Sequence, residues 1–236
     1  MNLQEFPEHW DRALCIAAHP DDLEYGTAAA VARWRRQGKE VTYLLATSGE
    51  AGIDGMHPDE AEPLREQEER DGAREVGVEV VEFLGLRDGV VEYGLELRRL
   101  IAAEIRRRHP QVIITLTHRE QFDGGGVNQA DHRAVGLAAI DASADAGNRW
   151  IFTDLIDQGL EPWSGVELIG FANSAAATHS VDVTDTFEAG VASLEAHAQY
   201  LGALEDHPSP RELLTEVLAS PDGSDRRVLS LELLER

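Results

Sequence analysis

Short apolar runs alternate along this chain with longer amphipathic segments, and no other feature constrains its fold as much. Each run has the length and composition of a strand buried on both faces of a sheet. Each intervening segment has helical periodicity, and several end at Gly or before Pro. The predicted strands are 14–18, 41–46, 80–84, 112–116, 166–171 and 181–183, and the predicted helices are 23–37, 63–76, 95–108, 130–144 and 186–204.

Strands separated by helices predict an α/β fold: a Rossmann-like, mostly parallel sheet with helices on both faces. Ligands of such sheets bind beyond the carboxyl ends of the strands, so the active site is expected in the loops after the first, second and fourth strands. No repeat or linker divides the sequence, and we expect a single domain over 1–236. The polar residues from 207 onward give no clear pattern.

The charge of the chain limits its partners. There are 44 acidic against 21 basic residues, a net charge of −23 that repels nucleic acid and anionic membrane. No apolar run approaches the roughly 18–20 residues of a membrane helix. The first residues lack the basic and apolar regions of a secretion signal, and Cys15 is the single cysteine. We therefore expect a cytoplasmic protein with no nucleic-acid or membrane partner, whose oligomeric state the sequence leaves open.

A polar cluster directly follows the first predicted strand. It consists of His19, Pro20, Asp21 and Asp22, and one imidazole with two carboxylates can bind a divalent metal and leave a spare base. Pro20 stiffens the turn, so that positions 19 and 22 can face one centre while Asp21 faces elsewhere. The alternative is that Asp21 or Asp22 caps the next helix, which leaves His19 unexplained.

A second cluster, Asp131 and His132, stands at the start of the helix that follows the fourth strand. Here too the alternative is plain capping by Asp131, with His132 exposed. Taken together, the two clusters supply His19, Asp22 and His132. Three ligands with one open position are typical of catalytic rather than structural zinc.

Several segments resemble one family in sequence order. The AHPDD at 18–22 is similar to the signature of the LmbE/PIG-L family of zinc-dependent N-deacetylases. TSGEAG at 47–52, FLGLRDG at 83–89 and DHRAVG at 131–136 resemble further motifs of that family, as do Arg65 and Glu66 between them. The likeness covers about 12–200.

The resemblance implies a role for each matched residue. His19, Asp22 and His132 would hold Zn2+, or another divalent metal, which lowers the pKa of its bound water toward about 7. Asp21 would be the general base that takes the proton and passes it to the leaving amine. Asp131 would orient His132 through its second ring nitrogen.

The resemblance also implies the substrate class. The expected reaction removes an acetyl group from an N-acetylglucosamine-type amide, or cleaves a related amide, in a small N-acetylated sugar. Arg65, Glu50 and Asp88 would contact this substrate. For Arg65 the alternative is a surface ion pair with a neighbouring Glu.

One position departs from the family pattern. Many relatives have a histidine three places before the metal-binding His132, where it would help to stabilise the oxyanion, and here that residue is Gln129. An amide donates a neutral hydrogen bond but supplies neither a proton nor a positive charge. His118 or His179 could substitute for it, and a catalytically weakened family member remains an alternative.

Other function classes are less well supported. A non-hydrolytic nucleotide- or sugar-binding α/β module is the main alternative, but neither G-x-G-x-x-G nor G-x-x-x-x-G-K-[ST] occurs. A serine hydrolase lacks its G-x-S-x-G. The segment 57–60, His-Pro-Asp-Glu, is similar in sequence to the first cluster, His-Pro-Asp-Asp. No apolar strand precedes it, so we do not expect it to bind metal. His197 is expected to be a packed or surface residue.

Overall fold

Residues 3–236 are described by a computed structural model of the chain. The strands are β1 (Gln4–Glu5), β2 (Arg12–Ala17), β3 (Glu40–Thr47), β4 (Val80–Leu86), β5 (Val112–Leu116), β6 (Leu168–Ala172), β7 (His179–Asp182) and β8 (Val228–Glu235). The helices are α1 (Thr27–Arg36), α2 (Pro58–Glu75), α3 (Leu95–Arg108), α4 (Ala130–Gly147), α5 (Asp154–Asp157), α6 (Phe187–Glu195), α7 (Ala198–Ala203) and α8 (Pro210–Val217). A 3-10 turn, Thr184–Thr186, precedes α6.

The strands form one sheet in the order β1-β7-β8-β6-β5-β2-β3-β4. All neighbours pair in parallel except β8, which is antiparallel to both β6 and β7. The predicted α/β architecture with a mostly parallel sheet is therefore confirmed. Because β2, β3, β4 and β5 run the same way, the loops that follow them meet at one edge of the sheet.

Both faces of the sheet are covered, as alternate residues of β2 show. Cys15 and Ala17 pack in the apolar cluster that contains residues of α1, α6 and α8. Leu14 and Ile16 pack in the other cluster, with residues of α3 and α4. A strand buried on both faces reads as a continuous apolar run, which is why its sequence predicts it well. None of the described helices is long and apolar enough to cross a membrane.

Three predicted helix boundaries are wrong for local reasons. The helix predicted from 23 begins only at Thr27, after a turn that ends at Gly26 with φ +133°. The helix predicted from 63 begins at Pro58, because the His57 ring accepts the Asp59 N–H at 3.3 Å and caps it. The helix predicted over 186–204 is broken at His197 into α6 and α7.

The C-terminal region, whose residues from 207 onward showed no clear sequence pattern, adds a helix and a strand to the fold. It forms α8, which begins with a capping box at Ser209 and Glu212, and then β8. β8 lies between β6 and β7, so the final residues of the chain join sheet strands that are distant in sequence.

Candidate active site

The turn after β2 is held by one carboxylate. Asp22 Oδ2 accepts the backbone N–H of Ala18 at 3.0 Å and that of His19 at 2.8 Å. Its other oxygen, Oδ1, lies 3.0 Å from His132 Nε2 at the start of α4. α1 has Gly26 at its N-cap and no side-chain cap. The alternative in which Asp21 or Asp22 merely caps that helix is therefore excluded.

Two imidazoles and one carboxylate converge here. His19 Nδ1 lies 3.2 Å from His132 Nε2 and 3.5 Å from Asp22 Oδ2. One ligand atom from each of the three residues lies within 4.8 Å of the others, and each residue is at most 8% exposed. This spacing and this donor set can hold a divalent ion.

Each imidazole is oriented through its other nitrogen. His132 Nδ1 lies 3.0 Å from Asn128 Oδ1, and Asn128 Nδ2 donates to the carbonyl of Thr117 at 2.7 Å. His19 Nε2 lies 3.3 Å from Asp131 Oδ2 and 3.1 Å from Asp88 Oδ1. Such contacts fix the ring and leave His132 Nε2 and His19 Nδ1 for an ion.

Asp131 therefore supports a different histidine from the one expected. The prediction that it orients His132 is wrong, because its carboxylate faces the loop after β4. There Oδ2 accepts the Gly89 N–H at 2.8 Å and Oδ1 accepts the Val91 N–H at 3.1 Å. The capping alternative for Asp131 fails for the same reason, since these are not N–H groups of its own helix.

The electrostatics of the cluster favour a cation. Burial lowers the pKa of His19, but the carboxylates of Asp22, Asp131 and Asp88 outweigh it and raise that pKa to about 12. Burial raises the pKa of Asp22, but His132 and His19 outweigh burial and hold that pKa well below its usual range. Negative charge thus exceeds positive charge around this centre.

Asp21 lies beside the cluster but faces α2. Its Oδ1 accepts a hydrogen bond from Arg65 Nη2 at 2.9 Å, and its N–H donates to Glu69 Oε2 at 3.0 Å. Its φ of +84° is in the left-handed region that few residues other than glycine adopt. Burial raises the pKa of Asp21 to about 7, against the opposing effect of the Arg65 charge.

A pocket of about 650 Å³ opens onto the cluster. All three expected metal ligands are among its lining residues, as are Asp21 and Tyr200. The other lining residues come mainly from the loops after β3, β4 and β5: Tyr25, Gly49, Ala51, Gly52, Arg65, Asp88, Gly89, Leu116, Phe122, Asp123, Gln129, Asn173 and Val217.

Comparison with known proteins identifies the family. The profile of PIG-L, described as GlcNAc-PI de-N-acetylase, matches residues 14–143. This chain belongs to the PIG-L family. The resemblance inferred from the motifs is thus confirmed, and hydrolytic deacetylation is supported over a non-hydrolytic binding module.

Named relatives of this PIG-L member are deacetylases. The diacetylchitobiose deacetylase of Thermococcus kodakarensis is 31% identical, over 79% of this chain and 68% of its own length. A probable N-acetyl-α-D-glucosaminyl L-malate deacetylase 2 of Bacillus subtilis is 34% identical, over 56% of this chain and 60% of its own. A solved N,N'-diacetylchitobiose deacetylase of Pyrococcus horikoshii covers 97% of this chain and 85% of its own with a TM-score of 0.86. Its 23% identity shows the shared fold alone.

Arg65 is not a surface residue. It is 1% exposed, its Nη2 donates to the Pro20 carbonyl at 2.5 Å as well as to Asp21, and its guanidinium lies 3.4 Å from the centre of the Tyr200 ring. The alternative of a surface ion pair with a neighbouring Glu is therefore wrong. Arg65 joins the turn after β2 to the pocket wall.

Glu50 and Asp88 hold two loops together. Glu50 Oε1 accepts the N–H of Asp88 at 2.8 Å, and Asp88 Oδ2 accepts the N–H of Ala51 at 2.9 Å. Asp88 lines the pocket, whereas Glu50 does not. The structure thus places Asp88 in the pocket where the substrate is expected. Glu50 lies outside the pocket lining and holds the Asp88 backbone through this hydrogen bond.

The three candidates for an oxyanion-stabilising group differ in whether they line the pocket. Gln129, at the N-cap of α4, lines the pocket, and its side chain does not cap the helix. His118 does not line the pocket: its ring packs 4.9 Å from that of Phe171, and burial lowers its pKa. His179 lies on β7 and is also outside the pocket lining. Of the three, only Gln129 is brought to the site.

Proposed function

We propose that this chain is a zinc-dependent N-deacetylase that removes the acetyl group from an N-acetylglucosamine-type amide. The observation that carries the proposal is the convergence of His19, Asp22 and His132 in the lining of a pocket that Asp21 also lines. Family membership supports the reaction, and the named relatives support the sugar.

The residues present fit a zinc ion. Two imidazoles and a carboxylate are ligands that zinc accepts, and three protein ligands leave a position open for catalysis. Asp88 and Asp131 offer a second grouping with His19, but both Asp131 oxygens already accept backbone N–H groups. When bound, the ion would polarise the amide carbonyl and lower the pKa of the attacking water.

The surrounding side chains would supply the remaining chemistry. Asp21 would accept a proton from the attacking water and deliver it to the leaving nitrogen. Arg65 would hold the Asp21 carboxylate in place through its 2.9 Å hydrogen bond. Gln129 would donate its amide N–H to the oxyanion, and Asp88 would accept a hydrogen bond from a sugar hydroxyl.

The charges of the pocket support an uncharged sugar substrate. Asp21, Asp22, Asp88 and Asp123 all line it, and Arg65 is the sole Arg or Lys among its lining residues in the described chain. Since Arg65 is paired with Asp21, little positive charge is left for an anionic aglycone. A neutral glycoside therefore fits the pocket better than a malate or phosphate conjugate.

An acetate-release assay tests this function. The zinc-loaded chain is incubated with N-acetylglucosamine, N,N'-diacetylchitobiose and N-acetylglucosaminyl malate, and free amine and acetate are measured together. We expect equal amounts of both products, faster for the neutral sugars, with loss on chelation and recovery on adding zinc. Absence of release from every sugar would contradict the proposal and favour the catalytically weakened alternative.

Gln129 gives a separate prediction for the oxyanion. Gln129→Ala is expected to lower kcat by about 10²–10³-fold, the usual cost of one lost oxyanion donor. Gln129→His is expected to add a limb to the pH–rate profile, with activity falling as pH rises past about 6.5 and the imidazole loses its proton. Gln158→Ala, at the end of α5, is the matched control. A native rate for Gln129→Ala would show that position 129 does not contact the transition state.

We also propose a single family domain over 1–236 and a cytoplasmic location. One sheet that includes both β1 and β8 supports the first. The lone thiol of Cys15, which is buried, suits the second.

A further inference from the structure

Three ionisable side chains outside the pocket form a buried cluster. Glu24, Glu69 and His197 are each 0% exposed, and none lines the pocket. His197 Nε2 lies 3.7 Å from Glu69 Oε2 and 3.9 Å from Glu24 Oε2. Within residues 3–236, Glu24 Oε2, Glu69 Oε1 and both His197 nitrogens have no hydrogen-bond partner. Burying such groups costs stability, so their presence calls for a role.

The cluster touches the proposed catalytic base through one hydrogen bond. Glu69 Oε2 accepts the N–H of Asp21 at 3.0 Å. Asp21 has a φ of +84°, a strained conformation that persists only where the surroundings determine it. Arg65 lies one turn earlier on the same face of α2 and holds the Asp21 carboxylate. α2 therefore fixes Asp21 at two points, its backbone and its side chain.

Close packing of α6 on α2 keeps Glu69 in place. A Cβ on Gly72 would meet the Ser193 carbonyl oxygen at 2.8 Å and His197 Nε2 at 3.2 Å, so only glycine allows this approach. The Ser193 hydroxyl donates to the Gly72 carbonyl at 2.8 Å and lies 3.2 Å from Glu24 Oε1. The break after α6 then places the His197 ring against Glu69.

We propose that Glu69, which is buried next to Glu24 and His197, is the positioning residue of Asp21. By accepting the Asp21 N–H, it holds that backbone in the left-handed region, which keeps the carboxylate on Arg65 and apart from the three expected metal ligands. The contribution of Glu69 is a fixed acceptor oxygen rather than a charge. This inference rests on the proposed role of Asp21 as the base.

Three substitutions of Glu69 separate the acceptor from the charge. Glu69→Gln keeps an oxygen at the same reach, Glu69→Asp keeps the charge but is one methylene shorter, and Glu69→Leu removes the acceptor. We expect kcat within about 3-fold of the wild type for Glu69→Gln, and lower by about 10–10²-fold for Glu69→Leu, the cost of a small misplacement of a reacting group. Glu69→Asp should lie between them. KM and zinc content should be unchanged in all three.

Glu104→Leu on α3 is the matched control, because it alters a buried Glu that pairs with Arg108 and is not among the lining residues of the pocket. It should lower stability without changing kcat. Crystal structures give a readout independent of activity: Asp21 should keep its positive φ in Glu69→Gln and relax to a negative φ in Glu69→Leu.

Specific results would overturn the inference. An active Glu69→Asp with an inactive Glu69→Gln would show that the charge matters instead. Loss of zinc in step with kcat would assign Glu69 to the support of the metal ligands. If Glu69→Leu does not fold, the kcat values of the other two variants test the inference: it requires a higher kcat for Glu69→Gln than for Glu69→Asp. An inactive wild type would refute the proposed function, while the φ of Asp21 in the variants would still test this inference.

Discussion

Replacing Asp21 with asparagine is expected to lower kcat by about 10²–10⁴-fold, the usual contribution of a positioned general base. Asparagine has the same shape, and its amide oxygen can still accept the hydrogen bond that Arg65 Nη2 donates at 2.9 Å. It cannot take a proton from water. The fold and the zinc content should therefore be retained, and both are measured beside kcat on the best sugar found in the acetate-release assay.

Asp225→Asn is the control for this change, since Asp225 is an exposed residue of the loop before β8. It should leave kcat unchanged. A near-native kcat for Asp21→Asn would remove Asp21 as the base. His118 would not replace it without a rearrangement, because its ring packs against Phe171 instead of lining the pocket.

The expected metal ligands could be named from sequence because they depend on a few local rules. Buried parallel strands such as β2 and β5 are continuous apolar runs, and the polar residues that follow them must meet at one edge of the sheet. His19 and Asp22 follow β2, and His132 opens the helix after β5. The argument requires only that β2 and β5 are neighbours in the sheet, and the order of the other strands does not affect it.

The orienting residues needed finer information. Asn128 and His132 are four positions apart across the start of α4, so they lie on the same side, whereas Asp131 faces the loop after β4. The spacing of four was available in the sequence and points to Asn128 as the partner. The contact of Asp131 with His19 could not be inferred from the sequence, because it depends on how α4 is placed against the loop at 89–91.

The buried cluster of Glu24, Glu69 and His197 could not be predicted from the sequence, for a different reason. α2 is rich in charged residues, a pattern typical of a solvated helix, and its sequence alone does not show which of its glutamates are buried. Burial of Glu69 follows from the close approach of α6 at Gly72, a contact between segments about 120 residues apart in sequence. β8 was missed similarly, since its place between β6 and β7 is fixed by long-range pairing.

His132→Ala is expected to lower zinc affinity by more than about 10²-fold and to reduce deacetylation to background. The change removes one of three ligands and leaves Asp22 Oδ1 without its 3.0 Å partner. Asn128→Ala keeps all three ligands but removes the group that orients the His132 ring, together with the hydrogen bonds that Asn128 Nδ2 donates to the carbonyls of Thr117 and Arg119. Loss of an orienting group costs about 10–100-fold in metal affinity or activity. Excess zinc should therefore restore Asn128→Ala but not His132→Ala.

Zinc affinity is measured by competition with a chromophoric chelator, and kcat is followed as a function of added zinc. A second readout is thermal unfolding, because an ion that binds only the native chain stabilises it by about 2.7 kcal/mol at 100 times its Kd. Zinc should raise the midpoint of the wild type and of His179→Ala, a histidine on β7 outside the pocket. It should not raise that of His132→Ala. Equal zinc affinity in Asn128→Ala and the wild type would show that the 3.0 Å contact between Asn128 Oδ1 and His132 Nδ1 does not prepare the ligand.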